Sequence, residues 1–411
     1  MGFAGGFALG MTQAGFKLVG KCELPGGFGV PNCLANRHLL GYDWDAHVGD
    51  PAKAWPTIPA DVVFGNPPCS GFSVMSVKSF RGASSKINEC MWNFVRYAAK
   101  VRPTVAVFES VQPAFRREDG RDLMRRLRAE LEDLTGDRYG LWHVLHNAYS
   151  VGGPAQRRRY FWLVSRVPFG IEEPRLRHLP VLNDVIGDLE PLANTWQPQP
   201  YRAPATPYAE QFISPSGVVD GMATIPENIG VRRLKDLMTS VEWRPGDHMA
   251  QVVRRHWERY GRLPSSFSEE MTEKIVKSDF NMGFTTPVRW NGDRHARVIT
   301  GAGLFCTIHP RLNRTITHRE AARILGFPDD WRALPLRRVP GVAATWGKGI
   351  TVHCGRWIGE WIKRALDGDP GSWIGDDVGE RERLIDVTNT WKTVVLQSTG
   401  RTAVRTTVRA S

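Results

Sequence analysis

The sequence predicts a doubly wound α/β domain carrying a smaller inserted domain, and three observations support this. The apolar run Asp61-Val62-Val63-Phe64 ends in the rigid turn Gly65-Asn66-Pro67-Pro68, so it reads as a short buried strand opening onto a loop. A second run, Thr104-Val105-Ala106-Val107-Phe108, ends in Glu109, and helical apolar spacing through Met91, Phe94, Val95 and Ala98 separates the two. From about Ala193 to Gly283 the pattern turns Pro-rich and irregular, with one helix around His248 to Tyr260, as an insertion would.

Composition limits the partners. A chain of 411 residues, 42% of them hydrophobic, can bury a full core. The net charge of +12 and pI near 9.6 favour a polyanionic partner. Six cysteines with no Cys-x-x-Cys pair fit a reducing cytoplasm and argue against a structural zinc. The amino terminus lacks the basic start and long apolar core of a signal peptide, and no apolar run approaches a membrane span.

In chain order, Gly2 to Met11 reads as a Gly-rich turn entering a helix, and Phe16 to Glu23 as the following strand. Glycines at such a turn, here Gly5 and Gly6, let a nucleotide cofactor approach the backbone. An acidic residue at the end of the next strand, Glu23, can accept both ribose hydroxyls. His47-Val48-Gly49-Asp50 is a further strand end. Cys69 then follows Pro68 at the carboxyl edge of the sheet, where open α/β folds bind their ligands. Most free cysteines are packing, but a thiol displayed on a Pro-Pro turn reads as a nucleophile. Residues 74–87 are Ser- and Lys-rich, and residues 116–133 form an amphipathic helix with Leu123, Leu127 and Leu131 on its buried stripe and solvated arginines opposite. Gly152 to Val164 runs from a turn into a strand, and Asn313 to Asp329 is a helix with its stop signal at Gly326 and Pro328. Trp346 to Val352 leads into an amphipathic helix ending near Leu366. The end of the chain, Val387 to Ser411, alternates Thr, Val and Arg like a hairpin, and a solvated basic tail is the expectation there.

The string Pro67-Pro68-Cys69-Ser70-Gly71-Phe72-Ser73, together with Glu109-Ser110-Val111, resembles the DNA cytosine-5 methyltransferase family over roughly residues 1–366. The resemblance implies a Rossmann-like S-adenosylmethionine-dependent fold with a target-recognition domain. It gives catalytic segments at 1–192 and 286–366, recognition at 193–285 and an extension of unknown function at 367–411. It implies that Cys69 adds to carbon 6 of a flipped cytosine while Glu109 bonds nitrogen 3 and the amino group. Gap-free placement on the family's Pro-Gln-x-Arg-x-Arg pattern puts Ala155 on the Gln and makes Arg157 the guanidinium near the base, leaving Arg159 a structural role. A one-residue slip using Gln156 is the alternative placement. Phe3, Gly5, Gly6, Glu23, Asp50 and Pro68 become cofactor residues by the same resemblance. The family's buried first strand is absent here, which leaves Met1 or Phe3 near the adenine. Either the natural start lies upstream or another segment fills the gap.

One position departs in a way that bears on the cofactor. Lys348 stands in Trp346-Gly347-Lys348-Gly349, where the family usually carries an asparagine near the cofactor's reactive end. An ammonium there opposes a plain sulfonium but can pair with the carboxylate of carboxy-S-adenosylmethionine. The expectation is therefore carboxymethyl transfer to cytosine carbon 5 of double-stranded DNA, with ordinary methyl transfer from S-adenosylmethionine as the alternative. The expected protein is a monomer with no metal and no membrane association, working in the cytoplasm of a bacterial cell or a virus-infected one. A catalytically silent DNA-binding relative would lack the thiol or the acid, whereas an RNA cytosine methyltransferase would share every catalytic residue.

Overall fold

The computed structural model describes residues 4–23, 33, 36–41, 47–48, 58–73, 82–174, 176, 178–189, 229–270, 272–273, 287–299, 304, 307–331, 346–372 and 375–392. Phe3 and Asp50 lie outside the described residues, as does the tail from 393.

Six strands form the main sheet: β3 (Val62–Gly65), β4 (Val105–Ser110), β6 (Arg158–Ser165), β5 (Gly140–Asn147), β10 (Glu382–Asp386) and β9 (Asp376–Gly379), in that spatial order. β3 and β4 are parallel, β6 runs antiparallel to both β4 and β5, and β10 is parallel to β5. β1 (Cys22–Glu23) and β2 (His47–Val48) pair with each other in a separate two-stranded sheet. The expected strand over 16–23 is thus reduced to its last two residues, and among the described residues no strand joins that pair to β3.

Both faces of the main sheet are covered, which makes β4 buried at every position. On one face lie α2 (Glu89–Val101) and α3 (Glu118–Thr135), whose Met91, Val95, Leu123, Leu127 and Leu131 pack on Ala106, Phe108 and Trp162. On the other lie α1 (Gly6–Gln13) and the helix from Val352 to Leu366, whose Phe7, Met11, Cys354 and Ile358 pack on Val105, Val107 and Phe161. These two helices touch through backbone, since a Cβ on Gly10 would stand 2.5 Å from Arg356 N and 2.6 Å from Gly355 C.

A second, smaller core gathers Leu234, Leu237, Val252 and Val253 from α4 (Ile229–Ser240) and α5 (Met249–Tyr260), together with Ile308. It meets the rest of the chain through β7 (Val288–Arg289) and β8 (Thr307–Ile308), where buried Arg289 donates to the carbonyls of His309 and Leu312. Next to this junction, Arg314 donates to both carboxylate oxygens of Glu320 at 2.8 and 2.7 Å, with both side chains 1% exposed. Glu320 also closes the capping box of the helix from His318 to Ile324 by accepting from Thr317 N. Removing one partner of such a pair strands the other charge in the interior. Arg314→Ala should therefore cost about 3–5 kcal/mol, read as a large drop in the thermal unfolding midpoint.

Between residue 366 and the basic tail, where no element was expected, the structure forms a hairpin of β9 and β10, and β10 becomes an interior strand of the main sheet. Its Ile385, and Val387 just after it, are fully buried. From residue 393 the solvated tail expected over Val387 to Ser411 lies outside the described residues.

Candidate active site

The site forms where β3, β4 and β6 end or begin at one edge of the sheet. β3 stops at Gly65 because Pro67 and Pro68 have no N–H to continue the ladder. The chain then turns through a short 3-10 segment, Ser70–Phe72, and carries half-buried Cys69 over the end of β4. Gly71 is sterically required here, since a Cβ would stand 2.7 Å from Asn88 Oδ1. Asn88 also donates to the carbonyls of Gly82 and Ala83, and Gly82 N donates to Gly71 O at 2.7 Å, closing the far end of the loop.

Cys69 and Glu109 share this edge. Burial first, and then the Glu109 charge, raise the Cys69 pKa to about 11 against the downward pull of Arg159, the Val111 N–H and Ser110. The resting sulfur is therefore a thiol. Glu109 is 1% exposed, and burial holds its carboxyl above the usual carboxylate range against the pull of Arg159, Arg157 and Asn66. A carboxyl shifted in this direction keeps its proton more readily than an exposed one and can deliver it to a hydrogen-bonded ring nitrogen.

Two residues orient Glu109. Asn66 donates through Nδ2 to Glu109 Oε2, and at 3.3 Å to the Glu109 carbonyl. Arg159 brings Nε to 2.9 Å from Glu109 Oε1, with its own side chain 17% exposed. Across the β5–β6 register, Arg159 faces His146, which stacks on Phe161 with ring centroids 4.4 Å apart. Burial, with help from Arg159 and Arg157, pushes the His146 pKa down to about 3, so a neutral ring backs the guanidinium.

The two arginines stand in different surroundings. Arg157, expected near the base, is 2% exposed and spends its guanidinium on backbone: Nη1 donates to Ile299 O at 3.2 Å, and Nη2 to Gly347 O and Gly349 O at 2.9 and 2.6 Å. Arg159, expected to be structural, is the guanidinium at the acid. Arg157 stands just before β6 and Arg159 just inside it, two residues apart, so spacing alone could not tell which reaches Glu109 and which reaches the loop at 347–349. Asn66 had a legible signal, since it precedes the Pro-Pro turn of the nucleophile loop, but its contact with Glu109 spans two strands.

Lys348 is exposed between the two glycines that Arg157 holds. The same segment abuts the Gly-rich turn, because a Cβ on Gly6 would meet Ile350 O at 2.3 Å. Gly5 has φ +94°, and α1 begins there with no side-chain cap and no acidic residue in its first turn. Pro68 is half-buried beside Cys69, and Glu23 ends β1. Among the described residues, no group of three or more His, Cys, Asp or Glu side chains is placed to hold a metal, and no helix is long and apolar enough to cross a membrane.

The chain is similar to known proteins. A family model described as C-5 cytosine-specific DNA methylase matches residues 2–364. The chain is 26% identical to the type II methyltransferase M.XorII of Xanthomonas oryzae over 392 residues, covering 89% of this chain and 84% of that protein. It is 24% identical to the type II methyltransferase M.AgeI of Thalassovita gelatinovora over 376 residues, covering 74% and 83%. A crystal structure of a prophage-encoded DNA modification methyltransferase from E. coli superposes with a TM-score of 0.58 at 16% identity, covering 89% of this chain and 97% of that one.

Proposed function

The chain belongs to the C-5 cytosine-specific DNA methylase family, and from that premise we propose that it transfers a carboxymethyl group to carbon 5 of a cytosine flipped out of double-stranded DNA. The single observation that carries the choice of group is Lys348, an ammonium on a turn clamped by Arg157 beside the Gly-rich start of α1.

In the proposed cycle the Cys69 thiol gives its proton to water as its sulfur adds to carbon 6. Glu109 gives a proton to nitrogen 3, drawing the ring electrons that would otherwise resist the addition. Arg159 and Asn66 hold the two carboxyl oxygens in place, and Arg159, partly exposed, takes the role of the guanidinium beside the base. Carbon 5 then bonds the carbon that the cofactor would supply, whose bond to the cofactor's sulfur would break with the electron pair staying on that sulfur; the carbon-5 proton leaves to water, and the C6–S bond breaks, the Cys69 sulfur regaining a proton from water. Glu109 recovers its proton from nitrogen 3.

The family's cofactor is a sulfonium, and the described residues fit its amino-acid end. The uncapped start of α1 leaves backbone N–H groups for a carboxylate. When bound, the sulfonium supplies the electrophilic carbon. We assign Gly5, Gly6, Glu23 and Pro68 to holding it, and Lys348 to a carboxylate on the transferred group. The core around α4 and α5 supports assigning 193–285 to target recognition. The bacterial relatives support a bacterial cytoplasmic setting.

Nucleoside mass spectrometry of duplex DNA and of folded RNA, each incubated with enzyme and either cofactor, tests the reading. A 5-carboxymethyl-deoxycytidine product from the carboxylated cofactor is expected. Methyl transfer alone would leave the chain an ordinary DNA cytosine-5 methyltransferase, and modification of RNA alone would reassign the substrate.

A further inference from the structure

The family match ends at residue 364, yet β10 completes the sheet beyond it, beside β5. Because β10 is parallel to β5 and β6 is antiparallel, the carboxyl ends of β4, β5 and β10 reach the same edge as the start of β6. That edge holds Glu109 and Arg159.

Two polar links fasten the extension, one near each end of β10. Glu382, at the start of β10, accepts from His143 Nε2 at 2.6 Å and from Arg125 Nε at 2.9 Å, and His143 Nδ1 lies 2.7 Å from the Tyr160 hydroxyl. The second link lies just past the other end of β10. Thr388, 1% exposed, accepts through Oγ1 from Gln112 Nε2 at 3.1 Å, and its carbonyl accepts from Ser150 Oγ at 2.9 Å. The same Gln112 amide reaches the Arg159 carbonyl at 3.5 Å. Gln112 stands three residues after Glu109, so one amide joins the extension, the backbone of Arg159 and the loop leaving Glu109.

We propose that the segment after residue 366 is a working part of the catalytic edge, with Thr388 a positioning residue that acts through Gln112 on the Glu109–Arg159 pair. This rests on the assignment of those two residues to cytosine activation. Without the Thr388 hydroxyl, the Gln112 amide loses its fixed acceptor, and the loop after Glu109 and the start of β6 can shift relative to each other. Displacements well under 1 Å in such pairs slow chemistry more than they weaken binding.

The test uses full-length enzyme with the variants Thr388→Val, Thr388→Ser, Gln112→Met, the Thr388→Val/Gln112→Met double and Glu109→Gln. Tritium release from carbon 5 of labelled cytosine in duplex DNA is the readout, since thiol addition at carbon 6 labilises that hydrogen without any cofactor. Thr388→Val should lower the maximal exchange rate about 5- to 30-fold with KM for DNA within about twofold, and Thr388→Ser should restore it. Gln112→Met should lose a similar factor, and the double variant no more than the larger single loss. Gln112→Met leaves the extension intact, so it decides the matter should Thr388→Val fold poorly. A Thr388→Val rate within about twofold of wild type, or a double-variant loss equal to the product of the singles, would overturn the proposal. Wild-type exchange by Glu109→Gln would instead overturn the assignment on which it rests, and the proposal with it.

Discussion

Replacing Glu109 by Gln is expected to lower transfer to cytosine by about 10²- to 10⁴-fold while making Cys69 easier to alkylate. The two effects have opposite signs for one reason. The carboxyl is the proton source for nitrogen 3, so its loss removes the step that makes carbon 6 electrophilic. The same carboxyl, when ionised, opposes a second negative charge nearby, and it is the second-largest cause, after burial, of the raised Cys69 pKa. With Gln in place, Arg159, the Val111 N–H and Ser110 still favour the thiolate and nothing offsets them but burial. The Cys69 pKa should fall from about 11 toward the ordinary thiol range. Iodoacetamide labelling at about pH 9 should then be faster in the variant when quantified at Cys69 by peptide mass spectrometry. Unchanged or slower labelling would mean that Glu109 does not control the thiol.

Lys348→Asn is expected to reverse the cofactor preference. Two unit charges about 4 Å apart interact by about 4 kcal/mol at an effective dielectric near 20. Lys348 is exposed, so screening reduces this to roughly 1–2 kcal/mol, a change of about five- to thirtyfold in relative affinity. The carboxylated cofactor should lose affinity and S-adenosylmethionine should gain it, both measured as Kd by titration calorimetry and as product ratio in competition. Because Arg157 grips the carbonyls of Gly347 and Gly349, the backbone of the turn does not depend on the side chain at 348, which confines the change to charge. An unaltered ratio of the two dissociation constants would remove Lys348 from cofactor selection.

The sequence by itself determined the short-range features: a strand stopped by Pro67 and Pro68, a thiol at its end, an acid closing the next strand, and a sheet buried on both faces. Each follows from neighbours in the chain, from missing N–H groups, apolar runs and turn residues, and these are local chemistry. Only the tertiary structure decided which guanidinium faces the acid. Arg157 and Arg159 are two residues apart at the start of β6, and the choice depends on how far each stands from β4 and from the turn at 347–349. The same holds for Asn66, whose partner lies 43 residues away, and for the extension, whose Glu382 meets His143 239 residues earlier. Buried polar atoms must find partners wherever the fold brings them, and that requirement is written across the chain, not along it.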